Sequence, residues 1–61
     1  MTTFYVVADR YGRKISDYYR TVEDATRAKG DATDYVVAVD NGSIRPLTSY
    51  EDANPARREG L

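Results

Sequence analysis

The stretch DYVVAVDNGSIRPL, Asp34 to Leu47, decides how this chain is read. It opens on an apolar run, turns at Asn41-Gly42 and returns on a second extended run. Val and Tyr suit a half-buried pleated surface, which predicts strands on both sides. Asn-Gly between two such runs predicts a type I′ hairpin turn, whose two central residues both need positive φ. Pro46 has no N–H to give a ladder, so the returning strand belongs at a sheet edge. A near copy stands earlier as FYVVADRYGRKI, Phe4 to Ile15. Here Phe4 to Asp9 reads as the strand, with Phe4, Val6 and Ala8 on one face and Tyr5, Val7 and Asp9 on the other. Arg10 to Arg13 is the turn, and Gly12 is free to take positive φ. Lys14 to Arg20 is predicted to run back as a charged edge strand. Ile15 and Tyr19 would face the core, with Lys14, Ser16, Tyr18 and Arg20 on the opposite side.

Between the hairpins lies a helix signal, from Thr21 to Lys29. The Thr21 hydroxyl can accept from the backbone N–H of residue 24 as an N-cap. Glu23 and Asp24 favour the positive end of the helix dipole, and Arg27 and Lys29 the negative end. Gly30 is the expected left-handed stop. The apolar stripe is small: Val22, Ala25 and Ala28. After the second hairpin, Ser49 is expected to cap a short turn over SYEDA. Pro55 ends it, because the residue before a proline avoids the α region. Met1 to Thr3 reads as a lead-in and 56–61 as a frayed tail.

The halves correspond. Tyr5-Val6-Val7-Ala8 repeats as Tyr35-Val36-Val37-Ala38, and Thr21-Val22-Glu23-Asp24-Ala25 as Ser49-Tyr50-Glu51-Asp52-Ala53. A duplicated β-β-α unit is one reading; generic caps and acidic first turns are the other. The layout predicts a single α+β domain over 1–61. It would hold a four-stranded antiparallel sheet of two β-hairpins, β-β-α-β-β, in the order 2-1-3-4. One helix would pack on one face, with a short C-terminal helical turn. The other face is expected to be open, with candidates among Tyr5, Val7, Tyr35, Val37 and Val39.

Composition narrows function by exclusion. The chain has 61 residues, no Cys and no His. Disulfides, a zinc site of the usual ligands and a Ser-His or Cys-His pair are therefore unavailable. Absence of Cys suits a reducing cytoplasm. No apolar run reaches the ~20 residues of a membrane span, and no signal-peptide pattern opens the chain. No catalytic residue, cofactor or metal site is assigned. Glu23-Asp24 and Glu51-Asp52 are adjacent acids that do not face one another on a helix. Asp31, Asp34 and Asp40 match no calcium loop and read as turn chemistry.

Nine Lys and Arg oppose ten Asp and Glu, for a net charge of −1. Basic residues prevail in residues 1–30 and acidic ones in 31–61. Two contact surfaces follow. The first pairs tyrosines with acids, Tyr18, Tyr19, Tyr50, Glu51 and Asp52, and suits a basic protein partner. The second is the first hairpin, where Arg10, Arg13, Lys14 and Arg20 alternate with Tyr11, Tyr18 and Tyr19. Arg pairs phosphates and Tyr stacks bases, so that surface suits nucleic acid. A homodimer through an open face or edge is a further expected assembly.

In size, Cys-free composition and β-β-α-β-β layout the chain resembles small inhibitors encoded by phages and mobile elements, anti-CRISPR proteins among them. That resemblance implies stoichiometric binding that blocks a host protein or complex, without catalysis. The stretch YYRTVEDATRA also resembles the strand-to-helix passage of HicB-like antitoxins and of phage-integrase arm-binding domains. The latter lack the full second hairpin found here.

Overall fold

The computed structural model describes residues 3–56. Within them lie β1 (Thr3–Ala8), α1 (Val22–Arg27), β2 (Tyr35–Asp40), β3 (Ser43–Arg45) and α2 (Ser49–Ala53). The sheet has three antiparallel strands in the order β1-β2-β3. The four-stranded β-β-α-β-β sheet in the order 2-1-3-4 is thus corrected: Lys14 to Arg20 is not a strand. The β2–β3 hairpin turns at Asn41 and Gly42 with φ of 52° and 79°, the conformation that Asn-Gly anticipates.

The lost strand has a local cause. Lys14 to Arg20 lies along the outer edge of β1 but meets it at only two bridges, Lys14 with Ala8 and Tyr19 with Tyr5. Three steps along β1 separate those positions, against five along the outer segment, so two residues are in excess. A ladder cannot keep register across such a bulge. The Ser16 hydroxyl fills the gap, accepting from the Val7 N–H at 2.8 Å where a carbonyl would otherwise stand. The same bulge turns Ile15 out to solvent at 52% exposure, against the expectation that it faces the core.

Helix α1 starts as its sequence dictates. The Asp24 N–H donates to the Thr21 hydroxyl at 3.0 Å. It ends early, however. The Ala28 and Lys29 N–H groups donate three residues back, to the carbonyls of Ala25 and Thr26, which tightens the last turn into a stop. Ala28 is therefore exposed rather than part of the stripe, and Gly30 is not a left-handed cap. The second cap moves by one residue as well. Thr48, not Ser49, accepts from the Glu51 N–H, while the Glu51 carboxylate accepts from the Thr48 N–H, a complete capping box. The tail expected at 56–61 lies, beyond Ala56, outside the described residues, as do Met1 and Thr2.

Apolar side chains gather on both faces of the sheet. Under the helices, Tyr5 and Ala38 pack with Val22 and Ala25, joined by Tyr19, Val36 and Leu47. On the other face Val6, Ala8, Val37 and Val39 form a second cluster beside Phe4. Among the described residues no helix covers this second face; its rim carries Tyr18, Tyr35 and Ile44, all exposed. Of the five open-face candidates, Tyr35, Val37 and Val39 are there, whereas Tyr5 and Val7 alternate to the helix side.

Candidate functional site

The helix face is closed by a polar knot. Glu51, on α2, is 4% exposed. Arg45, on β3, grips it with both terminal nitrogens, at 2.7 and 2.9 Å, and the Tyr5 hydroxyl donates to the same carboxylate at 2.7 Å. A fork-to-carboxylate pair with a further donor is a strong arrangement for a buried charge. Arg45 also pairs through Nε with Asp40, which accepts in turn from the Thr3 hydroxyl. The Arg45 guanidinium holds the Glu51 carboxyl down at about 2, from its ordinary 4.5, with the Thr48 N–H and Tyr5 hydroxyl assisting against burial. Thr3 first, then Arg45, keeps Asp40 low as well.

This geometry dissolves the acid-and-tyrosine surface. Glu51 is spent inside the fold. Tyr19 packs half-buried against the helix-face core, whereas Tyr18, one residue before it, lies on the opposite face. Tyr50 and Asp52 are exposed on α2. The five residues therefore do not form one patch. Asp31 and Asp40 serve a turn and an ion pair: Asp31 accepts from the Thr33 N–H and hydroxyl. Among the described residues no cluster of carboxylates is arranged to hold a metal, and no pocket is enclosed.

The basic set, by contrast, is drawn together. The guanidinium groups of Arg10 and Arg13 both stand near the Tyr11 ring, at 5.4 and 5.7 Å from its centroid. The Lys14 ammonium stands 4.8 Å from the centroid of Tyr18. Tyr18 meets Phe4 edge-on at 5.9 Å and 66°. The Arg20 guanidinium lies over Phe4, 5.5 Å from the ring centroid. Lys14, Tyr18, Phe4 and Arg20 therefore form a row along the outer margin of the sheet, two rings with a cation at each end, held by cation–π and edge-to-face attraction. The loop that carries Arg10 to Arg13 is itself rigidly tied. Its Asp9 carboxylate accepts from the N–H groups of Tyr11 and Arg13 and pairs with the Arg13 side chain. Those bonds, the Arg13 N–H first, lower the Asp9 carboxyl.

Two residues of consequence escaped the sequence reading. Arg45 is the only cation from residue 31 to 56, among five acids, which is a signal that an acid pairs with it. The sequence gives Phe4 a face but not its contact with Tyr18 and Arg20, because the path of Lys14–Arg20 depends on the bulge. No helix of the described residues is long and apolar enough to cross a membrane. Compared with known proteins, the chain matches no family model, no curated protein and no solved structure.

Proposed function

We propose that this chain is a small non-catalytic binding module that acts by stoichiometric occupancy of a partner. Its contact surface, on this reading, is the sheet face without a helix together with its basic margin, not the acidic half. One observation carries this: around the buried Val6, Ala8, Val37 and Val39, that face ends in a rim of large apolar side chains left exposed, Tyr18, Tyr35 and Ile44. An aromatic patch edged by cations on a rigid sheet is the anatomy of a contact site. A blocking protein of the phage or mobile-element type works in this manner. The four-stranded layout on which the resemblance rested is not present, so this class is proposed on the contact surface alone.

The test is comparative capture from a bacterial lysate, run with and without nuclease treatment. Immobilised wild-type chain is set against Tyr35→Ser with Ile44→Ser, and against Asp52→Lys, each checked by thermal melting. A component retained by wild type and by Asp52→Lys, and lost from the face variant at an equal melting temperature, supports the reading. A component lost only with Asp52→Lys overturns it in favour of the acidic half.

A further inference from the structure

The margin from Arg10 to Arg20 offers two kinds of group in one row, exposed aromatic rings and cations. Four cations stand there against two carboxylates, Asp9 and Asp17. Asp9 is consumed by its own loop. Arg10 and Lys14 make no ion pair among the described residues, although a chain of −1 net charge has carboxylates to spare. Elsewhere each arginine that pairs does so with two acids: Arg27 with Glu23 and Asp24, Arg45 with Asp40 and Glu51. At Arg10 and Lys14, overall charge balance therefore conceals a local cationic surplus, and both cations lie over rings. Tyr18 is 57% exposed, held on edge by Phe4 and therefore already fixed in orientation. Tyr35 is exposed on the same face, opposite Ala8, and its hydroxyl lies beside Gly12 of the basic loop.

We infer that this row binds single-stranded nucleic acid, with an unpaired base on the Tyr18 ring and flanking phosphates on Arg10, Lys14 and Arg20. The inference rests on the contact surface proposed above and names its occupant. Chemistry selects that occupant. An acidic protein satisfies the cations but gives no reason for flat rings set between them, whereas a strand with splayed bases needs both at nucleotide spacing. A duplex keeps its bases stacked and presents phosphates alone. The span of β1 from Phe4 to Ala8 is about 13 Å, enough for a short strand to run along it. Lys14 need only swing off the ring to let a base stack there, since its stem is flexible and its ammonium keeps the adjacent phosphate.

Fluorescence anisotropy decides it, with labelled oligo-dT and oligo-U of about 12 nucleotides, within the usual site size. A duplex of similar length and a poly-glutamate peptide are the other probes. Between about 50 and 200 mM salt, both single strands should bind at least tenfold more tightly than the duplex or the peptide. The logarithmic salt slope should be about −2, as expected for three phosphate contacts. Tyr18→Ala should weaken binding about tenfold or more, Tyr18→Phe should retain it, and Asp17→Asn should strengthen it. Lys14→Gln should flatten the slope by about 0.7. Peptide or duplex binding as tight as the single strands overturns the inference, as does an unaffected Tyr18→Ala. So does failure of either oligonucleotide to bind up to about 1 mM, the weak end of meaningful affinity. If nucleic acid fails while the face variant still loses a protein from nuclease-treated lysate, the contact surface stands and only its occupant is wrong.

Discussion

Tyr5 and Tyr35 each open the string Tyr-Val-Val-Ala, and the two strings lie directly against each other in the sheet. The register pairs Tyr5 with Ala38, Val6 with Val37, Val7 with Val36 and Ala8 with Tyr35. Each tyrosine thus sits opposite the other copy's alanine, large against small. First and fourth positions of a strand point to opposite faces, so the two tyrosines part company. Tyr5 goes under the helices at 1% exposure; Tyr35 goes to the open face at 43%. The helical copies diverge by the same small step. Their caps are Thr21 and Thr48, one residue closer than the match of TVEDA to SYEDA implies. Glu23 is consequently an exposed partner of Arg27, while its aligned counterpart Glu51 is the buried knot. Repetition in a short antiparallel chain does not produce symmetry. A shift of one position is enough to send equivalent side chains to different solvents.

The tyrosines allow the sharpest break. Tyr5→Ala removes a buried ring and a donor to a buried carboxylate, at about 3–5 kcal/mol, close to the whole stability of a domain this size. It should leave the chain unfolded by circular dichroism at room temperature. Tyr5→Phe should fold and lose about 1–2 kcal/mol in a urea titration. Tyr35→Ala should cost well under half of what Tyr5→Ala costs, and equal effects would mean that the register is wrong.

The glutamates come next. Glu51 titrates at about 2 when folded, below its ordinary 4.5. Its contribution is therefore complete above pH 4.5 and fades as pH falls toward 2. The loss is on the order of 3 kcal/mol at 1.36 kcal/mol per pH unit. Denaturant titrations at stepped pH should show this fall in the native chain. Glu51→Gln should be destabilised already at pH 7 and show a much smaller fall on acidification. Glu23→Gln, whose pair is exposed, should shift stability by less than about 0.5 kcal/mol at any pH.

A smaller effect separates the neighbours Thr48 and Ser49. Thr48→Ala should cost about 1 kcal/mol, as the cap of a helix does, and Ser49→Ala close to nothing. Reversal of that order by thermal melts would restore the matched-repeat alignment. The smallest contrast is among glycines. Gly12 and Gly42 hold φ of 82° and 79°. A methyl at Gly30 meets nothing within 4 Å and its φ is ordinary, so Gly30→Ala should be neutral or raise stability by up to about 1 kcal/mol. Gly42→Ala should lower it.

What was legible in the residues was whatever local chemistry decides. Asn41-Gly42 can scarcely do anything but turn, Thr21 followed by two acids is a cap, and β-branched runs pair. The outer segment was illegible because KISDYYR carries a serine that supplies a side-chain acceptor where a strand supplies a carbonyl, and no periodicity announces that substitution. The cap at Thr48 is legible too. Thr48-Ser49-Tyr50-Glu51 is a capping-box string, obscured by its likeness to Thr21-Val22-Glu23-Asp24-Ala25. The basic margin was named residue by residue, but its joining through Phe4 depends on a bulge that only three dimensions reveal.

The excess of two residues between Tyr19 and Lys14 also bears on how this chain behaves in a crowd. A regular fourth strand would have ended the sheet in an outward row of N–H and C=O groups, a seam onto which another copy can be stitched. The bulged segment covers β1 while offering no continuous seam of its own. On the far side β3 runs for three residues before Pro46. Both borders are thus too short or too irregular to template growth into fibrils, and the sheet stays finite at three strands.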